Sequence, residues 1–400
     1  MHVIRHISPA ITWVGGSDRR LSRFENLFPI PRGVSYNSYL ISDQKTALLD
    51  TADSSILQRF LENVSAALDG RPLDYLILNH MEPDHCAGIV ALLERFPSLQ
   101  LVGNAKTLTL FSQFYDLPLD DGRTITVQDG QTLSLGSHTL QFFFTPMVHW
   151  PEVMMTYEQS EKVLFSADAF GSFGALGGTL FADEVDFARD WLPDYRRYYA
   201  NIVGKYGVQV HNALKKLAAV DVQIICPLHG LVWRKDLNVL LEKYDLWSRY
   251  QPEEKAVAIF YGSMYGDTEN AADLLACALA DAGVHNLAVY DLSEIHVSEA
   301  ISEIFRCSHI VLASPTYNNG IYPPILTLLH DMKALNVQNR TVALIENGSW
   351  APTCAKNMRA LVDELKNMSV LEQTVTIRSA VKAATRTDLL ALAQAIAQSV

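Results

Sequence analysis

The sequence predicts an α/β protein of two unlike domains, and three observations point to it. His80, Glu82, Asp84 and His85 crowd four metal-ligand side chains into six positions directly behind the apolar run Tyr75 to Leu78. Beyond residue 250, strand-like and helical runs alternate regularly, whereas before it short strands mix with scattered helices. Between the two textures lies Trp247 to Lys255, a polar stretch with one proline. The boundary is therefore placed there, giving domains 1–250 and 251–400.

In the first domain, Tyr39 to Ile41, Ala47 to Leu49, Tyr75 to Leu78, Gln141 to Thr145, Val163 to Phe165 and Gln223 to Ile225 read as strands. Ser55 to Leu68, Ile89 to Phe96 and Val208 to Ala218 have the spacing of half-buried helices. In the second domain the strands are Val257 to Tyr261, Leu287 to Tyr290, Ile310 to Ala313, Val342 to Ile345 and Val375 to Ile377. Helical patterns run over Glu269 to Ala282, Ser298 to Arg306, Ile325 to Leu335, Cys354 to Leu365 and Thr387 to Gln398. Five such βα units predict a doubly wound parallel sheet of five strands.

Bulk properties narrow the function class. The 400 residues exceed one typical core, and a hydrophobic fraction of 49% can fill two. A formal net charge of -12 argues against nucleic acid or an anionic membrane surface as partner. The start of the chain lacks the basic and apolar regions of a signal peptide, and no run reaches membrane-span length, so the expectation is cytoplasmic. The cysteines Cys86, Cys226, Cys277, Cys307 and Cys354 are scattered without a Cys-x-x-Cys pair, which excludes a disulfide framework and gives no support for a cysteine-ligated iron-sulfur, zinc or rubredoxin centre.

Further ligand-type residues follow strand ends as His80 does. His149 lies beyond Phe142 to Phe144, Asp168 beyond Val163 to Phe165, and His229 beyond Ile224 to Cys226. Strand ends on one rim can converge on one point. In an extended or tightly looped segment His80, Glu82 and Asp84 project to similar sides, with His85 reaching round at the start of the next helix and Pro83 stiffening the loop. One metal would then take His80, Glu82 and His149, the other Asp84, His85 and His229, with Asp168 bridging. Three carboxylates at about -3 against about +4 from two divalent ions offset most of the cost of burial. Spacing alone leaves iron, zinc and manganese open.

The second domain opens with Ser263, Met264, Tyr265, Gly266, Asp267 and Thr268 between a strand and a helix, a place where backbone N–H groups gather an anion. It is neither a Walker A loop nor Gly-x-Gly-x-x-Gly, and without a lysine it suits a terminal monophosphate. Two later strand ends, Ser314, Pro315, Thr316, Tyr317, Asn318 and Gly320, then Asn347, Gly348, Ser349, Trp350 and Ala351, add amides and aromatic faces suited to an isoalloxazine ring.

The metal segment resembles that of the metallo-β-lactamase superfamily, except that Glu82 stands where its hydrolases have a second histidine. The later loops resemble flavodoxin, which binds FMN at three such loops. Together they resemble the flavodiiron proteins along essentially the whole chain. That resemblance implies an αββα lactamase-like sandwich followed by a flavodoxin-like sheet, with two iron ions on His80, Glu82, Asp84, His85, His149, Asp168 and His229. It also implies FMN and reduction of O2 to water, of NO to N2O, or both. It further implies an external donor such as rubredoxin or a flavin or rubredoxin reductase, a head-to-tail homodimer or a tetramer, and a tyrosine, Tyr198 or Tyr199, near the substrate pocket. No catalytic residue is expected beyond the metal ligands. The competing readings are a metal-dependent hydrolase, which Glu82 and the flavin loops oppose, and a non-catalytic FMN electron carrier, which the complete ligand set opposes.

Overall fold

Alternating apolar strands and amphipathic helices produce two units, seen in a computed structural model that describes residues 2–118 and 122–400. One unit comprises residues 1–199 and 208–244, the other residues 200–207 and 245–400. The division falls inside the helix Leu237–Ser248, just before the polar stretch where the sequence places it. That stretch is not a solvated linker. Trp247 is fully buried, with its indole N–H donated to Glu253 at 2.8 Å, and Tyr250 is buried as well.

The first unit contains two main sheets. The larger has seven strands in the order Arg5–His6, Ile11–Trp13, Tyr39–Ser42, Thr46–Leu49, Tyr75–Ile77, Gln100–Gly103, Thr124–Thr126. Its first four strands pair antiparallel and the rest run parallel. The second sheet has five strands, Thr132–Ser134, Thr139–Phe144, Met154–Glu158, Val163–Phe165 and Ile224–Cys226, and only its last pair is parallel. Strands such as Thr46–Leu49 and Val163–Phe165 are buried at every position, as a sheet covered on both faces requires. Helix Leu57–Leu68 buries Phe60, Val64 and Leu68 at four-residue spacing. Its buried Asn63 donates to the carbonyls of Val14 and Gly15. The helices that escaped the sequence reading include Leu237–Ser248 and Ala105–Phe114, the latter capped by Asn104.

The second unit has the expected parallel sheet, in the order Leu287–Asp291, Glu254–Tyr261, Cys307–Tyr317, Thr341–Asn347, Ser369–Ile377, with the two-residue strand Gly320–Ile321 added as a return hairpin. This 2-1-3-4-5 order is the flavodoxin-like one, with its switch point at the ends of the first and third strands. Helix Asp267–Asp281 buries Ala271, Ala272, Leu275, Ala278 and Leu279 against it. Among the described residues no helix is long and apolar enough to cross a membrane.

A single buried cation ties this unit's loops together. Arg340, 2% exposed, donates to the carbonyls of Ile304, Tyr250, Gln338, Asn339 and Phe305 at 2.7 to 3.3 Å. Burial pulls its pKa down to about 10, so it stays charged at neutral pH. Arg340→Met is expected to strand these acceptors and cost about 3 kcal/mol, while Arg340→Lys recovers part of it. Urea midpoints of the two variants and the parent protein check this.

Candidate metal centre and cofactor pocket

The opening ligand segment is held by the residues before it. Asp50, at the end of strand Thr46–Leu49, accepts Asn79 N–H at 2.7 Å, the Asn79 amide at 2.8 Å and His80 N–H at 3.1 Å. Asn79 in turn joins the two sheets, its side-chain oxygen accepting from Thr156 at 2.7 Å and its carbonyl from Met154 N–H at 3.1 Å. Glu82 is extended and precedes a short helix, Pro83–Cys86. Asp84 and His85 therefore both project from one helical turn, whereas the sequence reading puts Asp84 on an extended or tightly looped segment and only His85 at the start of the next helix. The reason is Pro83 at the first helical position, where its fixed φ and missing N–H start the turn. Thr51 Oγ1 then donates to the His85 carbonyl at 2.8 Å.

Seven side chains from four strand ends meet in two groups. His80, Glu82, His149 and Asp168 form one, and Asp84, His85 and His229 the other, with the ligand-type atoms in each group within 4.8 Å of one another. Asp168 presents one oxygen to each. Its Oδ2 lies 2.9 Å from His149 Nε2 and 3.4 Å from His80 Nε2; its Oδ1 lies 3.1 Å from His85 Nε2 and 3.7 Å from His229 Nε2. Glu82 Oε2 sits 3.1 Å from both His80 and His149. His85 Nε2 and His229 Nε2 face each other at 3.0 Å. All seven are buried.

Two of the imidazoles are aimed from behind. His80 Nδ1 is 2.8 Å from Glu152, and His229 Nδ1 is 2.7 Å from the Ser35 carbonyl. Each thus turns Nε2 toward the cluster. Glu152 is fixed in turn by Met81 N–H at 2.9 Å, and its carbonyl by the Asn104 amide at 2.5 Å. No ligand-like spacing in the sequence exposes Glu152 or Asp50. Their role arises from contacts across 72 and 30 positions with His80.

The electrostatics ask for added positive charge. Burial alone would depress the histidines, yet the neighbouring carboxylates lift His85 and His149 to about 9 and His80 well above its usual range. The histidines outweigh burial in the other direction for Asp168 and Glu82, holding both low. Both Asp84 oxygens, Asp168 Oδ1 and His85 Nδ1 are buried without a hydrogen bond. Unpaired acceptors facing opposed imidazole nitrogens fit two cations, which supply the charge that protons otherwise would. Glu25, on the exposed hairpin turn beyond Phe24, is pushed up to about 8 by partial loss of water around its carboxyl and by the Glu82 carboxylate.

Of the paired tyrosines, Tyr198 faces the cluster, its ring 5.6 Å from that of His229, while Tyr199 packs on Tyr244 at 4.9 Å. The Tyr198 hydroxyl is buried without a hydrogen bond. Burial and the nearby Asp168, Glu82 and Asp84 raise its pKa well above normal, so it remains O–H.

The three loops of the second unit enclose a cavity of about 410 Å³. Ser263, Met264, Tyr265, Asp267 and Thr268 line it from the first loop, Pro315, Thr316 and Asn318 from the second, and Asn347, Gly348, Ser349, Trp350 and Ala351 from the third. Four expected residues do not. Gly266 takes a positive φ at the helix cap, and buried Ser314 turns its hydroxyl to the Pro315 carbonyl. Tyr317 and Gly320 pair in the hairpin, with the Tyr317 ring 6.2 Å from Tyr322. Asn318 and Asn319 occupy left-handed φ in its two-residue turn, and that geometry brings unforeseen Asn319 to the cavity. Ser379 also arrives unforeseen, its N–H donated to Asn347 at 3.1 Å. Gly262 is required, since a Cβ there would meet the Tyr322 ring at 2.4 Å.

Comparison with known proteins agrees with both halves. Residues 34–230 match the model of the ODP family beta lactamase. The chain is 32% identical over 375 residues to the nitric oxide reductase of Moorella thermoacetica, covering 93% of this chain and 92% of that protein. It is 31% identical over 350 residues to the anaerobic nitric oxide reductase flavorubredoxin of Vibrio vulnificus, covering 86% and 70%. Among solved structures, rubredoxin oxygen:oxidoreductase from Desulfovibrio gigas superimposes with a TM-score of 0.92 at 30% identity, covering 99% of this chain and 98% of that one. This chain, with its lactamase-like ligand cluster and flavodoxin-like sheet, belongs to the flavodiiron protein family.

Proposed function

We propose that the chain binds two iron ions at His80, Glu82, His149, Asp168, Asp84, His85 and His229, with Asp168 shared. We further propose that it holds FMN in the three-loop cavity and reduces O2 to water, NO to N2O, or both. The observation behind this reading is the pair of buried ligand groups sharing Asp168, with Glu82 in place of a histidine. A third carboxylate makes the donor set harder and more anionic, which suits redox iron at least as well as zinc. When bound, the irons supply electrons and an open coordination site for the diatomic gas, and the flavin relays electrons to them.

The protein's own part is placement. Glu152 and Ser35 hold two imidazoles in the orientation a metal needs. Tyr198 keeps an O–H beside the cluster, available as a hydrogen-bond donor. Trp350 and Tyr265, 87% and 93% exposed, offer aromatic faces at the rim of the cavity. Such exposure supports a head-to-tail homodimer, or a tetramer built from it, in which a second copy covers the flavin edge. Rubredoxin or a rubredoxin or flavin reductase is the proposed donor, and the cytoplasm the proposed location.

Anaerobic purification with metal and flavin analysis, followed by turnover of the reduced protein with each gas separately, tests the reading. Iron and FMN with consumption of either gas is expected; zinc without flavin would refute it. Glu82→His should reduce gas turnover by at least about tenfold while the fold persists, as followed by gas electrode and circular dichroism. Glu152→Gln, which keeps shape but removes charge behind His80, should weaken iron binding about 10- to 100-fold, read by chelator competition. Trp350→Ala should weaken FMN binding roughly tenfold, read by flavin fluorescence titration.

A further inference from the structure

A separate cavity of about 240 Å³ in the first unit shares no lining residue with the metal cluster. Three guanidinium groups, those of Arg5, Arg19 and Arg59, line it, and no acidic side chain does. Each is anchored by one N–H to a backbone carbonyl of the cavity's own wall. Arg5 donates to Gly178 at 2.6 Å, Arg19 to Leu176, and Arg59 to Ser17 at 3.3 Å. A guanidinium has five N–H donors, so these anchors set its direction and leave most donors unused.

Nearby carboxylates do not neutralise the cluster. Asp18 is turned to the backbone N–H groups of Arg20 and Leu21 at 2.7 and 3.2 Å, with the Arg20 side chain 3.9 Å away. Glu184 comes only to 3.9 Å of Arg5 and is shared with Arg234 at 3.4 Å. Among the described residues neither Arg19 nor Arg59 has a carboxylate within 4.0 Å; Glu62, one helical turn from Arg59, acts on it only through its field. Gathering three like charges is unfavourable by itself, and in a chain of net charge -12 carboxylates were plentiful. The remaining wall includes buried Trp13, whose indole N–H is already donated to Asn37 at 2.9 Å, leaving an apolar face.

We propose that this cavity binds a compact polyanion, whose phosphoryl or carboxylate oxygens meet the three guanidinium groups while its body lies against Trp13. Planar N–H pairs suit either oxyanion, and the small volume limits the ligand to a small molecule. Nothing in this assignment depends on the metal or the flavin.

The test is calorimetric titration of the iron- and FMN-loaded protein with inorganic pyrophosphate and, separately, citrate, at fixed ionic strength. Loading keeps either anion from the cofactor's own phosphate subsite. Saturable binding of at least one anion is expected, weakened at least tenfold in Arg19→Gln/Arg59→Gln, with flavin content and basal gas turnover unchanged. If the double variant does not fold, exposed Arg59→Gln alone should weaken binding severalfold, and Arg59→Lys should restore part of it. Binding by pyrophosphate only or by citrate only identifies the class. Absence of saturable binding for both anions, or affinity unaltered in the variants, overturns the proposal.

Discussion

The structure of the first unit depends on burying seven ionisable side chains at one rim and letting them compensate one another. Isolated, any of these carboxylates or imidazolium groups would be prohibitively costly away from water. Together they set negative oxygens against imidazole nitrogens at 2.9 to 3.7 Å, and Asp168 is the member that touches both groups. Removing one member leaves its neighbours as uncompensated buried charge. Two cations satisfy the same set more fully, because they also occupy the unpaired oxygens of Asp84 and Asp168.

That rim has to be rigid for such compensation to work, and its rigidity comes from hydrogen bonds one layer back. Asn79 accepts from the second sheet and donates to Asp50 of the first, so the ligand segment is pinned where the sheets meet. Asn37 does the same for the last ligand loop, donating to the carbonyls of Pro227 and Gly230 on either side of His229. The positions of the imidazole rings are therefore set by amides, carbonyls and the Asp50 and Glu152 carboxylates one layer back.

The second unit follows a different logic, in which neutral groups cradle a ligand. Its cavity is bounded mainly by amides, hydroxyls, aromatic rings and Gly, with Asp267 the one acidic side chain among the described lining residues, and its cross-ties run through Asn347, which donates to Thr268 at 3.4 Å and to the Ser379 carbonyl at 2.8 Å. One residue thereby joins the first loop, the end of the fourth strand and the end of the last. Its buried arginine, Arg340, lies among backbone carbonyls, outside the residues that line the cavity.

The sequence by itself determined the ligand types, their positions at strand ends, and the five-strand parallel sheet, because period and ligand density are local properties of the chain. Glu82, one departure from a histidine pattern, was legible for the same reason. Only the tertiary structure decided that Asp84 and His85 leave a helical turn, that Glu152 and Asp50 stand behind His80, and that Tyr198 rather than Tyr199 faces the cluster. It also exchanged Gly266, Ser314, Tyr317 and Gly320 for Asn319 and Ser379 around the cavity, and buried Trp247 in a stretch that reads as polar. Each of these rests on a contact across many positions or on which way a side chain turns at a strand end. Neither leaves a periodic trace in the sequence, since it is settled by the packing of the second sheet or the neighbouring loop.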